Sequence, residues 1–139
     1  MNNIFPRILA LAAICAVVTA SSCKKKETET CAAGGGGNAQ IVVFAAHNGV
    51  VLINSEQHPD TAYVKYGSAT SPGTNPAAYD TYFVSEAGED HIHLTHLKCG
   101  SYYVYRTAFD TTTGIRYTGG AGVSFTQTSG EVETTINVN

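Results

Sequence analysis

Ile41-Val42-Val43-Phe44-Ala45-Ala46-His47-Asn48-Gly49-Val50-Val51-Leu52-Ile53 decides the fold class of this 139-residue chain. Two β-branched, apolar runs flank Asn-Gly, whose residues both tolerate positive φ and so close a tight hairpin. Further along, Thr61 to Tyr66 alternates. Ala62, Val64 and Tyr66 share one face while Thr61, Tyr63 and Lys65 share the other, the period of two that marks a half-buried strand. Tyr79 to Val84, Ile92 to Leu97, Ser101 to Phe109 and Ile115 to Tyr117 read as further strands. The turn-rich stretches Asn54 to Asp60, Glu86 to Asp90 and Asp110 to Gly114 separate them. Gly119, Gly120 and Gly122 are expected to loosen the chain before its end. Val123 to Thr128 and Glu131 to Val138 are expected to close it as a hairpin around Ser129-Gly130. No apolar pattern of helical period interrupts the series. Roughly seven or eight strands with frequent turn signals predict an all-β fold, a single antiparallel β-sandwich.

The residues before this domain carry an address. Arg7 precedes a nearly unbroken apolar stretch from Ile8 to Val18, and small residues follow at Thr19 to Ser22, the parts of a secretory signal. The apolar run falls short of the roughly 20 residues a membrane-spanning helix needs. Ala20-Ser21-Ser22-Cys23 resembles the lipobox of bacterial lipoproteins, with Ala20 where the usual pattern has Leu. The resemblance implies cleavage before Cys23 and lipid on its thiol. An ordinary signal cut near Ala20 is the alternative. The expected organisation is therefore a signal over 1–22, a lipid-anchored flexible tether over 23–39 and the sandwich over 40–139. Within the tether, Lys24 to Gly37 ends in four glycines and has nothing to bury. The expected location is the outer membrane of a Gram-negative-type bacterium, with the domain facing the periplasm or the surface. The Lys24 to Glu29 run resembles the charged export tags of surface lipoproteins.

Of the four cysteines, Cys15 leaves with the signal and Cys23 is taken by lipid. Cys31 and Cys99 remain, in an oxidising compartment where disulfides persist. A bridge between them is the expected outcome, and two free thiols are the alternative. From Asn38 onward only Lys65, Lys98, Arg106 and Arg116 oppose nine carboxylates. That balance excludes nucleic acid, whose binding needs clustered cations.

Leu97-Lys98-Cys99-Gly100-Ser101-Tyr102-Tyr103-Val104 has the form Leu-x-x-Gly-x-Tyr-x-Val. It resembles the turn and strand of carboxypeptidase regulatory-like, transthyretin-like sandwiches. The resemblance implies that Gly100 makes a tight turn, that Tyr102 packs inward as a corner residue, and that Leu97 accompanies them. Arg106 departs from it, because it falls on the face shared by Tyr102, Val104 and Ala108. Either Arg106 sits at an open end of the core or a bulge shifts the register.

Candidate chemistry centres on Asp90-His91-Ile92-His93. His91 and His93 project from one strand face while Ile92 and Leu94 face the core, giving half of a site for Zn²⁺ or Cu²⁺ that Asp90 or His47 would complete. The bland alternative is that these histidines are polar fillers on a solvated face. His96 has the opposite parity. Glu86, Glu89 and Asp90 crowd one turn as candidate oxygen ligands for Ca²⁺, without the spacing of a calcium loop. No nucleophile elbow, unassigned nucleophilic cysteine or phosphate-cradling loop is present, so no catalytic residues are expected. Tyr63, Tyr103 and Tyr105 offer contact surface if their faces point outward. The long Gly67 to Ala78 loop is a candidate for small-molecule or glycan binding. The expected function is a lipid-anchored, non-enzymatic accessory module for binding or structure, with metal binding through His91 and His93 or glycan binding as alternatives. The implied partners are a membrane, through the lipid, and a protein or glycan. No cofactor beyond a metal ion at the histidines is expected.

Overall fold

Asn48 and Gly49 take positive φ, 50° and 80°, and between them reverse the chain as their residue types dictate. The computed structural model describes residues 31–139. The expected leader with Cys15, the expected lipid site Cys23 and the expected tether up to Thr30 lie outside the described residues. Eight strands follow in order: β1 (Gly35–His47), β2 (Val50–Val51), β3 (Thr61–Tyr66), β4 (Thr81–Val84), β5 (His91–Leu97), β6 (Gly100–Asp110), β7 (Ile115–Phe125) and β8 (Ser129–Asn137). A single 3₁₀ turn, Pro76–Ala78, sits in the long loop with the Asn75 side chain capping its start. Among the described residues no helix is long and apolar enough to cross a membrane.

The strands form two sheets. In the first, β1 is central: β8 runs along one edge, while β5 and then the short β2 share the other. The second has the order β4-β3-β6-β7, antiparallel throughout. The inward faces supply Ile41, Val43, Ile92, Leu94, Val64, Tyr102, Val104 and Ile136, each no more than 1% exposed. Burying each large side chain of this kind stabilises the fold by about 1.5–3 kcal/mol before entropy is counted. The all-β sandwich is thus the fold, built from the alternation that predicts it.

Three expectations need correction. First, β8 does not form a hairpin with β7. It crosses to the other sheet and pairs β1 in parallel, from Asn38↔Ser129 to Ala46↔Asn137. The alternation of Val132, Thr134 and Ile136 specifies which face is inward, but carries no information about which strand lies alongside. Second, β7 is not loosened by its glycines; it pairs β6 without a break from Ile115 to Phe125. A Cβ at Gly120 would strike the Tyr103 ring, and one at Gly122 would strike Ala69. These glycines make room for neighbours. Third, the sandwich begins before residue 40. Gly35 to Ala39 are strand, and Lys98 N–H donates to Gly34 O at 2.9 Å. Cys31 is bonded to Cys99 with Cα atoms 4.9 Å apart, so this glycine run is held against the end of β5.

Arg106 resolves the conflict noted in the sequence. The register of β6 is continuous through Ala62↔Arg106↔Gly119, with no bulge. Arg106 points inward and is wholly buried, near the end of the sandwich where Asn54 and Asp60 close the core.

Candidate functional site

Strand β5 is paired on one edge by β1, which sets the positions of its outward side chains. His93 lies opposite Val42, and His91 lies opposite Phe44. Ile92 and Leu94 are almost fully buried between the sheets, so strand alternation turns both imidazoles to the outer face. The His91 and Phe44 ring centroids are 5.4 Å apart, which limits where the imidazole can swing.

The two histidines lean together. Their Nε2 atoms are 3.0 Å apart and their rings are nearly perpendicular, at 86°. Glu89, from the turn before β5, brings Oε2 to 3.8 Å from His91 Nε2. One donor atom from each of Glu89, His91 and His93 lies within 4.8 Å of the others. Asp90 does something different. Its Oδ1 is 2.7 Å from His91 Nδ1, which places the imidazole proton on Nδ1 and leaves Nε2 with its lone pair toward the cluster. That hydrogen bond is the main influence holding the Asp90 carboxyl below its usual range, against a smaller opposing effect of desolvation. His93 Nδ1 is buried without a partner among the described residues. With the His91 Nε2 lone pair 3.0 Å away, the metal-free His93 carries its proton on Nε2, and a cation held between the two rings would have to displace that proton.

The positions expected from sequence thus separate into roles. His91 and His93 come together with Glu89, and Asp90 orients His91. His47 does not complete the set. Its Nδ1 is engaged with Val138 O at 2.9 Å, its Nε2 with Asn48 Nδ2 at 2.9 Å, and its ring stacks on Tyr117. His96 takes a positive φ of 58° where β5 carries one residue more than β1 between Ile41↔Leu94 and Ala39↔Leu97. His96 is exposed at this bulge and is not among the residues of the cluster. The acidic turn does not converge as a calcium site would, since Asp90 and Glu89 both turn to His91. Gly100 takes φ 145° and Tyr102 is buried, with its hydroxyl donating to Lys98 O and accepting from Gly34 N at 3.1 Å. Leu97 is buried beside them.

Two residues escaped the sequence reading. Asn54 is buried and bonded to the cluster's backbone on both sides: its N–H donates to Glu89 O at 2.7 Å, and its Nδ2 donates to His91 O at 2.8 Å. Asp60, also buried, accepts from Phe109 N–H at 2.8 Å and sits 3.7 Å from Arg106. Burial raises the Asp60 pKa despite these partners, and burial lowers that of Arg106 to about 10. Arg106 consequently remains a cation at neutral pH. An inward Arg was the only sequence signal that buried polar partners had to exist.

The tyrosines of the second sheet do point outward, but onto one another. Tyr63 has ring centroids of Tyr79, Tyr82 and Tyr105 within 5.9–6.3 Å. Tyr79 also stacks on Tyr105, and its hydroxyl donates to Gly73 O at 2.7 Å. The Gly67 to Ala78 loop is thereby fastened to the sheet. No family model, curated protein or solved structure matches this chain.

Proposed function

We propose that this chain is a lipid-anchored, non-enzymatic envelope sandwich that binds a divalent transition-metal ion through Glu89, His91 and His93. The observation that carries the reading is the convergence of three ligand atoms within 4.8 Å, with Asp90 holding His91 in the metal-binding tautomer. Two imidazoles and a carboxylate suit Zn²⁺ or Cu²⁺. Three protein ligands leave one position for water or for a ligand from a partner, as a site that exchanges its metal requires.

The disulfide bears on how the site is presented. Cys31 is tied to Cys99, past the end of β5 opposite to His91. Lipid on Cys23 would therefore hold the sandwich by that end, through eight residues that span at most about 28 Å. The ligands then lie at the end of β5 remote from the anchor. The glycan alternative has less support, because the outward tyrosines are occupied by each other and by the loop they hold.

Calorimetric titration of the purified chain with Zn²⁺ tests the metal reading. One ion per chain is expected, and none for the double variant His91→Ala/His93→Ala. A wild-type chain that gives no heat and no thermal shift with Zn²⁺ or Cu²⁺ overturns it. The anchor is tested separately: fatty-acid labelling in a bacterial host should be lost in Cys23→Ala.

A further inference from the structure

The ligand cluster lies on the outer face of β5, yet its backbone is held from inside the sandwich. Asn54 makes four hydrogen bonds around it. The N–H reaches Glu89 O at 2.7 Å, the carbonyl accepts from Gly88 N at 3.0 Å, Nδ2 reaches His91 O at 2.8 Å, and Oδ1 accepts from Arg106 Nη2 at 2.8 Å. Arg106 also donates through Nη1 to Val43 O. Val43 is the register partner of Ile92, the residue between the two histidines. One buried cation thus grips the strand pair directly beneath the cluster and, through Asn54, the turn that supplies Glu89.

This arrangement is more specific than a loop needs merely to stay folded. The Asn54 side chain uses its acceptor on Arg106 and a donor on His91, so it cannot rotate by half a turn without opposing donor to donor. Its backbone meanwhile fixes both sides of Glu89. Metal affinity depends steeply on such outer contacts, because they set how far ligand atoms must move to reach bonding distance.

We infer that Asn54, clamped by Arg106, is a positioning residue for the metal centre, holding Glu89 and His91 at ligand spacing from within the core. The inference rests on the metal reading above. Asn54→Asp is the informative variant, since a carboxylate still accepts from Arg106 but cannot donate to His91 O. With His91 O left facing a carboxylate, its metal-free form should melt below wild type but fold. Its Zn²⁺ affinity, measured by competition with a chromophoric chelator, should fall by roughly tenfold or more, and the visible spectrum of its Co²⁺ form should change. A purely structural role would lower the melting temperature alone, leaving the affinity and cobalt spectrum of the folded protein unchanged. Should Asn54→Asp fail to fold, Asn54→Ala, which retains both backbone bonds to the turn, is read in the cold by the same criteria. Ser55→Ala, whose hydroxyl hydrogen-bonds Gln57 alone among the described residues, serves as the control and should match wild type. Unchanged affinity and spectrum in the Asn54 variant overturn the positioning role alone. A wild-type chain that takes up no metal overturns the site and the inference together.

Discussion

The two outer faces of this sandwich both carry aromatic side chains, and they use them in opposite ways. On the β4-β3-β6-β7 sheet, Tyr63, Tyr79, Tyr82 and Tyr105 pack against one another, and the Tyr79 hydroxyl is spent on the loop backbone. On the β1/β5 face, the His91 and His93 nitrogens converge on a point shared with Glu89. The first face satisfies itself, and the second collects electron pairs that only a proton or a cation can satisfy. Outward aromatic residues thus signal a site only when their polar atoms are left pointing together.

Substitutions should separate the two faces. Replacing both Tyr63 and Tyr105 by Ala removes the centre of the tyrosine cluster and should cost about 3 kcal/mol of stability, from lost burial and paired-ring contacts. Zn²⁺ binding by the folded protein should not change; denaturant melts and a zinc titration on the same sample check this. A coupled loss of affinity would erase the division between the faces. Glu89→Ala should do the converse, weakening Zn²⁺ by roughly 30-fold, about 2 kcal/mol at 1.4 kcal/mol per tenfold, with the metal-free melt nearly unmoved. An affinity equal to wild type would remove Glu89 from the ligand set.

Asp90→Asn should weaken metal by about tenfold, because the amide no longer supplies the charge that orients the His91 ring. Isothermal titration at fixed pH reads it, and an effect larger than that of Glu89→Ala would reverse the roles assigned to the two carboxylates. The smallest effect belongs to the tyrosine side. Asp80 accepts from Tyr66 N–H at 2.7 Å and pairs with Lys65 at 3.0 Å. The Tyr66 bond is the main cause holding its carboxyl below the usual value of 3.8. A lowered folded-state pKa contributes stability that is present above pH 3.8 and is lost as pH falls through the lower folded value. Asp80→Asn should therefore cost no more than about 0.5 kcal/mol at neutral pH, since the pair is a third exposed and screened, and the gap should close in acid. A gap that persists at pH 2 would place its cause elsewhere.

Much of the site was legible. Period-two alternation put His91 and His93 on one face, and cysteine arithmetic paired Cys31 with Cys99. Glu89 was visible only as one of a crowd of acids, because a turn has no fixed period to say where its side chains point. Asn54 lies 37 residues from His91 in sequence, in a stretch rich in ordinary turn residues, and no local pattern links the two. His47 suggests itself for the cluster only by its residue type. Its place three residues beyond Phe44, the partner of His91, puts it roughly 10 Å further along the sheet.

The inward and outward faces of the alternating strands and the Asn48-Gly49 reversal are local matters, decided by side-chain period and by which residues tolerate positive φ. They belong to the chain alone. The neighbours of each strand do not. Whether β8 closes a hairpin or crosses to lie parallel to β1 depends on which edge remains unpaired once the other seven strands are placed. The inward Arg106 posed its question in the sequence, and only the packed sandwich answered it. Asn54 and Asp60 meet the guanidinium because burial leaves no water to do so, and through Asn54 that buried charge reaches the backbone of Glu89 and His91 outside.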